Sequence, residues 1–227
     1  MVSAISVSSN LILASYIVIK LWKFSSNLQT MEETKPIVKV LMFPDGGYQC
    51  NYWTAGGCTA RNCTLLHHIT NKTRLKQLLE GAEESIDVCM FVLSCAVLLD
   101  TLIIAHRDGI KIRIICDNMK ISGSAYKIKD ANLAVRVDNS AAMMHHKFII
   151  IDKNIVLTGS YNWTASGAAY NRENVFITDE NYVAVQYLEE FEKLWTKFYG
   201  STDVKYEPVS SSDVIRNRFV HRENDKS

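Results

Sequence analysis

The stretch HHKFIIID at residues 145–152, followed by GSYNW at residues 159–163, decides the fold that this sequence predicts. It places an imidazole, an ammonium group and a carboxylate at the spacing H-x-K-x4-D, and small polar side chains follow after a short apolar run. In an extended strand, side chains two residues apart point to the same face, so we expect His145 and Lys147 to lie side by side. This pairing makes the stretch a candidate catalytic site.

The rest of the chain has the composition of an ordinary globular protein. Its 227 residues suffice for one sizeable domain, with 48% hydrophobic and 22% charged residues. The formal net charge of +1 neither favours nor excludes a polyanionic partner, because a local basic groove is compatible with a neutral total.

The two ends differ in character from the middle. Residues 2–19 carry no charge and are followed by Lys20 and Lys23, an order that fits a single membrane anchor with the rest of the chain on the cytosolic side. An ordinary buried helix or an unstructured start is the alternative. The predicted organisation is an anchor at 1–24, a linker at 25–36, a domain at 37–199 and a polar tail at 200–227.

Strand-like and helix-like segments alternate through the domain. This order predicts an α/β sandwich, in which a mixed sheet carries helices on both faces. The predicted strands are 36–44, 86–94, 110–116, 133–137, 145–151, 155–157 and 174–178, and the predicted helices are 71–84, 97–106, 122–131 and 182–199. The candidate catalytic stretch falls where the sheet ends and a loop begins, which is where α/β proteins tend to place their chemistry.

The domain resembles the phospholipase D superfamily. The signature of that superfamily, H-x-K-x4-D-x6-G-S-x-N, is met here by His145, Lys147, Asp152, Gly159, Ser160 and Asn162. The resemblance extends over most of residues 37–199 and implies a phosphodiesterase with a phospholipase D-type α/β/α fold.

The roles of the motif residues follow from their chemistry. A neutral imidazole of His145 attacks phosphorus and forms a phosphohistidine. Its other ring nitrogen must keep a proton, and the resemblance makes Glu173 the candidate that orients it. Lys147 faces the non-bridging phosphate oxygens, and Ser160 and Asn162 add neutral donors.

Two features of the motif have consequences beyond these roles. Asp152 has either a catalytic role or a structural one that orders the loop. The motif occurs only once in this sequence, although protonation of the leaving group requires a second acid. We therefore expect a homodimer in which His145 of each chain meets at one shared site. This chemistry requires no catalytic metal.

A second cluster of candidate ligands lies in residues 45–70. The spacing C-x7-C-x4-C-x3-H predicts a closed, structural Zn²⁺ site. Its expected ligands are Cys50, Cys58, Cys63 and His67. His68 is an alternative imidazole ligand, and free cysteines in an irregular loop are the alternative to a metal site.

The anchor, the CCCH insertion and the single motif together resemble the mitochondrial branch of the superfamily, called Zucchini in insects. This resemblance implies a homodimer on the mitochondrial outer membrane that faces the cytosol. It also implies two activities, cleavage of single-stranded piRNA precursors and hydrolysis of cardiolipin to phosphatidic acid. For the RNA activity we expect further partners among piRNA-pathway proteins.

The substrate is not encoded in the motif, because both activities cleave a phosphodiester. Basic residues favour RNA if some of them line a groove, and no long apolar run flanks the motif to suggest an acyl channel. We therefore place the endoribonuclease first, the cardiolipin hydrolase second and a non-catalytic scaffold third. The candidate basic residues are Arg61, Lys72, Arg74, Lys76, Lys120, Lys127, Lys129, Arg136 and Arg172.

Overall fold

Seven strands form the centre of the protein. A computed structural model describes residues 35–54, 56–117 and 125–201. The strands are β1 (Val38–Met42), β2 (Ser85–Met90), β3 (Lys111–Asp117), β4 (Ala134–Asp138), β5 (Lys147–Ile151), β6 (Ile155–Gly159) and β7 (Asn174–Thr178). Each of the seven strands predicted from the sequence is present.

The strands form one mixed sheet in the order β1-β7-β6-β5-β2-β3-β4. Strands β2, β3 and β4 run parallel, whereas the pairs β2–β5, β5–β6, β6–β7 and β1–β7 are antiparallel. The parallel half follows from the helices that separate its strands, and the antiparallel β5–β6 pair follows from the short turn between them. The prediction of a mixed sheet is confirmed.

Six helices are present in the described residues. They are α1 (Asn51–Thr54), α2 (Asn71–Glu80), α3 (Ala96–Arg107), α4 (Ala125–Asp130), α5 (Ala165–Tyr170) and α6 (Asn181–Lys197). The sequence predicts α2, α3, α4 and α6 but misses α1 and α5. Helix α1 is a single turn, and α5 consists mainly of small residues without an apolar period, so neither carries a helical pattern.

One face of the sheet carries the larger core. Leu75 and Leu79 of α2 and Leu98 and Leu102 of α3 are fully buried in a cluster with alternate residues of the sheet, including Val88. Burial of such a side chain stabilises the fold by about 1.5–3 kcal/mol. This face therefore supplies most of the hydrophobic stabilisation.

Helix α6 covers the opposite face. Phe191 of α6 is fully buried in a second cluster with Phe148 and Ile150 of β5. Beside it, Arg113 of β3 donates two hydrogen bonds of 2.6 and 2.7 Å to the buried carboxylate of Asp87, and its guanidinium lies 4.7 Å from the centre of the Phe191 ring. Helices therefore lie on both faces, as the sequence predicts.

The predicted membrane anchor at residues 1–24 lies outside the described residues. Among the residues that the structure does describe, no helix has the length and apolar character needed to cross a membrane.

Candidate active site

The two halves of the motif meet at one edge of the sheet. Strand β5 begins at Lys147, and its antiparallel neighbour β6 ends at Gly159. Strand β7 begins at Asn174 beside the end of β6. The antiparallel connections therefore gather residues from three segments at this edge, which we call the catalytic edge.

His145 and Lys147 form the centre of the site. The Nζ atom of Lys147 lies 3.3 Å from both ring nitrogens of His145 and donates a 2.8 Å hydrogen bond to the His145 carbonyl oxygen. His145 is exposed and lies just before β5, not inside it as the sequence suggests. The predicted proximity of imidazole and ammonium is nevertheless present.

Phe91 lies beside both reactive groups, a contact that sequence reasoning missed. Its ring centre is 4.5 Å from that of His145 and 5.1 Å from Lys147 Nζ. Burial lowers the pKa of Lys147, and the negative charge of Glu173 acts in the opposite direction. The pattern around Phe91 is that of a buried strand end and carries no signal for this role.

Glu173 contacts the second half of the motif. Its Oε2 accepts a 2.5 Å hydrogen bond from Ser160 Oγ, and its Oε1 accepts one of 3.2 Å from Asn171 Nδ2. Among the described residues, Glu173 makes no hydrogen bond to His145. The structure therefore places Glu173 in the site, and its histidine-orienting role stays a prediction.

Gly159 is required by the close approach of β6 and β7. A Cβ atom at this position would lie 2.2 Å from the carbonyl oxygen of Asn174. The approach allows the backbone N–H of Ser160 to donate to Asn174 Oδ1 at 3.0 Å. The glycine of the motif therefore fixes the position of the serine that follows it.

Asn162 contributes an unsatisfied polar atom. Its side-chain oxygen is buried and has no hydrogen-bond partner among the described residues. Buried polar atoms without partners are uncommon in folded proteins and are candidates for ligand contact. Trp163, next in sequence, is fully buried and connects this loop to the segment after β2, because its backbone N–H donates to the Val92 carbonyl oxygen at 3.0 Å.

Asp152 lies at the opposite end of β5 from His145. Six residues separate the two, five of them in β5, which corresponds to a distance of roughly 20 Å at the usual rise per residue. The Asp152 carboxylate accepts hydrogen bonds from the backbone N–H groups of Glu83, Glu84 and Ser85 at 3.0, 2.7 and 2.9 Å. The geometry therefore favours the structural alternative for Asp152 over the catalytic one.

The predicted zinc ligands lie close together. The ligand atoms of Cys50, Cys58, Cys63 and His67 are all within 4.8 Å of one another. Three thiolates and one imidazole at this separation fit the tetrahedral coordination of Zn²⁺, and the imidazole in the cluster is that of His67 and not of His68. The residues therefore fit a structural metal site.

The thiol chemistry of Cys50 also suits metal binding. Burial acts to raise the pKa of Cys50, but hydrogen bonds from the Trp53 backbone and from the other cluster side chains lower it to about 7. The thiolate, which is the form that binds metal, is therefore accessible near neutral pH.

The candidate basic residues divide into two groups. Lys76 pairs with Glu80, Lys127 pairs with Asp100, and Arg136 lies against the Trp195 ring. These three stabilise helices and do not border the catalytic edge. Lys72 and Arg74 lie at the start of α2, where Asn71 Nδ2 donates to the carbonyl oxygen of Met42, the partner of Asn174 in β7. Arg172 directly precedes Glu173, and Arg61 lies in the loop between β1 and α2. Lys129 lies on α4, and Lys120 lies outside the described residues.

Comparison with known proteins identifies the family. Residues 75–195 match the family described as "Cardiolipin synthase, PLD-like domain". The chain belongs to the phospholipase D-like family. This phospholipase D-like protein is therefore an enzyme that acts on phosphodiester bonds.

Relatives and solved structures agree with that assignment. The protein is 38% identical over 174 residues to the mitochondrial cardiolipin hydrolase of Xenopus tropicalis, covering 75% of this chain and 82% of the relative. It is 36% identical over 152 residues to that of Homo sapiens, covering 66% of this chain and 60% of the relative. The fold resembles the phospholipase D family member Nuc from Salmonella typhimurium, with a TM-score of 0.57, 21% identity and coverage of 71% and 95% of the two chains.

Proposed function

We propose that this enzyme hydrolyses the phosphodiester of cardiolipin at mitochondria, through a covalent intermediate on His145. The observation that carries the reaction type is the contact of the exposed His145 imidazole with Lys147 at the catalytic edge. The names of the relatives from Xenopus tropicalis and Homo sapiens support the choice of lipid and of mitochondria.

The reaction proceeds in two displacements at phosphorus. In the first, a ring nitrogen of His145 forms a bond to phosphorus, the bond to the glycerol oxygen breaks, and that oxygen takes a proton from an acid. In the second, water attacks phosphorus, the bond between phosphorus and the His145 nitrogen breaks, and the acid that was deprotonated in the first step takes a proton from the water. The free imidazole is restored. The products are phosphatidic acid and phosphatidylglycerol.

Lys147 and the polar residues of the second half-motif stabilise the charge that develops on phosphorus oxygens. The Lys147 ammonium group is positioned against His145, so it meets the oxygens of the group under attack. Asn162 lies on the loop that follows β6 and supplies a neutral amide donor. The Ser160 hydroxyl donates to Glu173 and contributes to the phosphate only when it rotates away from that carboxylate. Glu173 holds Ser160 by its carboxylate and is the proposed partner for the protonated nitrogen of His145.

The acid is supplied by a second chain in this proposal. The sequence contains one H-x-K motif, and the exposed position of His145 leaves it accessible to a symmetry-related copy. A twofold axis at the catalytic edge brings two His145 residues to one phosphate, one as nucleophile and one as acid. The homodimer is therefore part of the proposed mechanism.

The remaining parts of the proposal concern attachment and stability. Cys50, Cys58, Cys63 and His67 hold a structural Zn²⁺ that braces the loop between β1 and α2. The uncharged segment near the start of the sequence anchors the enzyme in the mitochondrial outer membrane, with the domain facing the cytosol.

Single-stranded RNA is the second candidate substrate. The observation in its favour is the exposed basic side chains of Arg61, Arg74 and Arg172 in segments that adjoin the catalytic edge. The names of the relatives, however, reverse the order that the sequence alone suggests and place the lipid first. Membership of an enzyme family argues against the non-catalytic scaffold.

The substrate is tested by assaying the purified protein, without added metal, on cardiolipin vesicles and on single- and double-stranded RNA. We expect cardiolipin hydrolysis that His145→Ala abolishes without loss of the dimer. His146→Ala is the matched control, because this neighbouring imidazole lies 3.7 Å from Glu190 and not beside Lys147. Cleavage of single-stranded RNA without lipid hydrolysis would show that RNA, and not cardiolipin, is the substrate. Full activity in His145→Ala would show that His145 is not the nucleophile.

A further inference from the structure

The segment around the CCCH cluster has an unusual distribution of charge. Residues 46–79 contain no aspartate or glutamate, although the chain contains 24 acidic residues in total. The same segment contains Arg61, Lys72, Arg74 and Lys76. Lys76 pairs with Glu80, and the Asp45 carboxylate accepts hydrogen bonds from the backbone N–H groups of Asn71 and Lys72. The remaining basic side chains, of which Arg61 and Arg74 are exposed, present positive charge toward solvent.

Apolar side chains are exposed in the same segment. The exposed fractions of Tyr52, Leu65 and Ile69 are 75%, 42% and 44%. They and the exposed Arg61 belong to the segment whose Cys50, Cys58, Cys63 and His67 side chains lie together, and we call these four exposed side chains the insertion surface. None of these four side chains ligates the metal cluster, so the structural role of the loop does not account for them.

The insertion surface adjoins the catalytic edge. The Asp45 N–H, at the start of the insertion, donates a 2.8 Å hydrogen bond to the carbonyl oxygen of Ala168 in α5. The rings of Tyr48 and Tyr170 meet edge to face at 5.5 Å. Tyr170 is itself exposed and lies three residues before Glu173, so the insertion is packed against the segment that leads into the site.

We propose that the insertion surface docks on an anionic lipid bilayer and presents the catalytic edge to it. Leu65 and Ile69 enter the boundary between headgroups and acyl chains, Tyr52 lies at headgroup level, and Arg61 contacts lipid phosphates. Each basic residue near an anionic membrane strengthens binding about fivefold, the equivalent of the usual gain of ~1 kcal/mol.

Two other occupants fit the surface less well. Single-stranded nucleic acid could stack on the exposed Tyr52 ring, but it would leave the aliphatic side chains of Leu65 and Ile69 in water. A second copy of this chain would bring the same patch against itself across a twofold axis. That contact would bring the exposed Arg61 side chains of the two copies toward each other.

This inference deepens the proposed lipid function. Only the activity measurement depends on that function, and the binding measurement does not. The binding measurement uses the full-length protein carrying Leu65→Trp and vesicles of phosphatidylcholine with about a fifth phosphatidylglycerol, some with brominated acyl chains. Ile104→Trp is the matched control, because Ile104 on α3 is 57% exposed and lies outside the insertion. Attachment by any other part of the chain affects both variants equally.

The proposal predicts that brominated lipid quenches the added tryptophan of Leu65→Trp and leaves that of Ile104→Trp unquenched. Arg61→Gln in the Leu65→Trp background should shift the docking equilibrium of the insertion about fivefold toward the unquenched state. Equal quenching in both variants would overturn the proposal. So would a blue shift of the Leu65→Trp emission on adding an RNA oligonucleotide or on raising protein concentration without vesicles.

The activity measurement separates this proposal from the proposed function. The double variant Leu65→Ser/Ile69→Ser should lose at least tenfold in cardiolipin hydrolysis on vesicles and retain hydrolysis of a water-soluble phosphodiester, with metal content unchanged. Undiminished hydrolysis on vesicles in the double variant would overturn docking. Absence of cardiolipin hydrolysis by the wild-type enzyme, with Leu65→Trp still quenched, would instead overturn the proposed substrate and leave docking in place.

Discussion

Phe91 is the residue through which the core of the protein reaches the two reactive side chains. It is mostly buried, and its ring contacts both the His145 ring and the Lys147 ammonium group. An aromatic ring attracts a cation near its face and restricts the rotamers of a neighbouring imidazole. Phe91 is therefore a positioning residue, which acts through the two groups and not on the substrate.

Replacement of this ring should separate positioning from binding. We expect Phe91→Leu to lower kcat about tenfold with little change in KM, because substrate contacts remain while the geometry of attack loosens. Phe191→Leu is the control, since Phe191 is fully buried against the other face of the sheet. Steady-state kinetics with a water-soluble phosphodiester measures both constants. Equal losses of kcat in the two variants would show that Phe91 contributes to packing and has no positioning role.

Asp152 provides a test at the other end of β5. Burial acts to raise its pKa, but hydrogen bonds from the backbone N–H groups of Ser85, Glu83 and Glu84 outweigh this effect and lower the pKa. We expect Asp152→Asn to reduce the free energy of unfolding by about 1–2 kcal/mol at neutral pH, since charge-assisted hydrogen bonds are lost. The value of kcat should stay unchanged in the folded variant.

The pH dependence of that loss follows from the direction of the pKa shift. A carboxylate whose folded pKa is lowered stabilises the protein fully above its unfolded pKa, and this stabilisation declines as pH falls toward the folded pKa. The difference in unfolding free energy between wild type and Asp152→Asn should therefore be constant above about pH 5 and shrink below about pH 4. Urea denaturation at several pH values measures it. A large fall of kcat in folded Asp152→Asn would restore the catalytic interpretation.

Single residues show clearly how far sequence reasoning extends. The spacing H-x-K predicts the contact of His145 with Lys147, because both residues lie within three positions of the chain. Asp152 is different, since its partners at Glu83, Glu84 and Ser85 lie 67–69 residues away. Contacts of that separation depend on the order of strands in the sheet, which no local pattern encodes.

At the scale of elements, the approach of β6 to β7 fixes the second half of the motif. Gly159→Ala would place a Cβ atom 2.2 Å from a backbone oxygen, so one strand must move. We expect a loss of about 2–4 kcal/mol in unfolding free energy and displacement of Ser160.

Gly81 offers a matched control for this substitution. A Cβ atom there meets its nearest neighbours at 3.6 Å, an ordinary contact. Gly81→Ala should therefore leave activity unchanged and cost far less stability than Gly159→Ala. Thermal unfolding and hydrolysis assays of both variants measure the difference. Equal effects would show that the close approach of β6 and β7 does not limit this position.

The loop between β1 and α2 depends on its metal in the proposed account. Cys58→Ser should abolish stoichiometric zinc and lower the melting temperature by roughly 5–10 °C, because the loop has little apolar core of its own. Cys95→Ala is the control, since Cys95 is buried outside the cluster. Elemental analysis of the purified protein with calorimetry measures both quantities. A zinc content that Cys58→Ser leaves unchanged would contradict the metal site.

Elements were predicted well where the pattern is long. The amphipathic period of α6 and the apolar runs of β2 and β5 are visible in the sequence, because each buries one or both faces against the sheet. Helix α5 was missed, since its stability comes from the Thr164 side chain that accepts from Gly167 N–H and from packing against the motif loop. Such tertiary support leaves no periodic signature.

At the scale of the whole molecule, one chain supplies half of the proposed active site. The catalytic edge brings His145 and Lys147 together with Ser160 and Glu173, yet it provides one histidine where two are required. Because the site lies at an exposed edge, a second chain related by a twofold axis can reach it. The proposed docking of the insertion surface would also bring this edge to a bilayer. In the proposed mechanism, assembly of two chains is therefore as necessary to activity as the fold.

The central claim is tested by mixing chains. Wild-type and His145→Ala subunits are co-expressed in equal amounts so that they pair at random, and cardiolipin hydrolysis of the total dimer population is compared with that of the same amount of wild-type dimer. If one phosphate needs both histidines, only wild-type homodimers are active, and total activity should fall to about a quarter. Retention of about half the activity would show that each chain carries a complete, independent site, and would contradict the account.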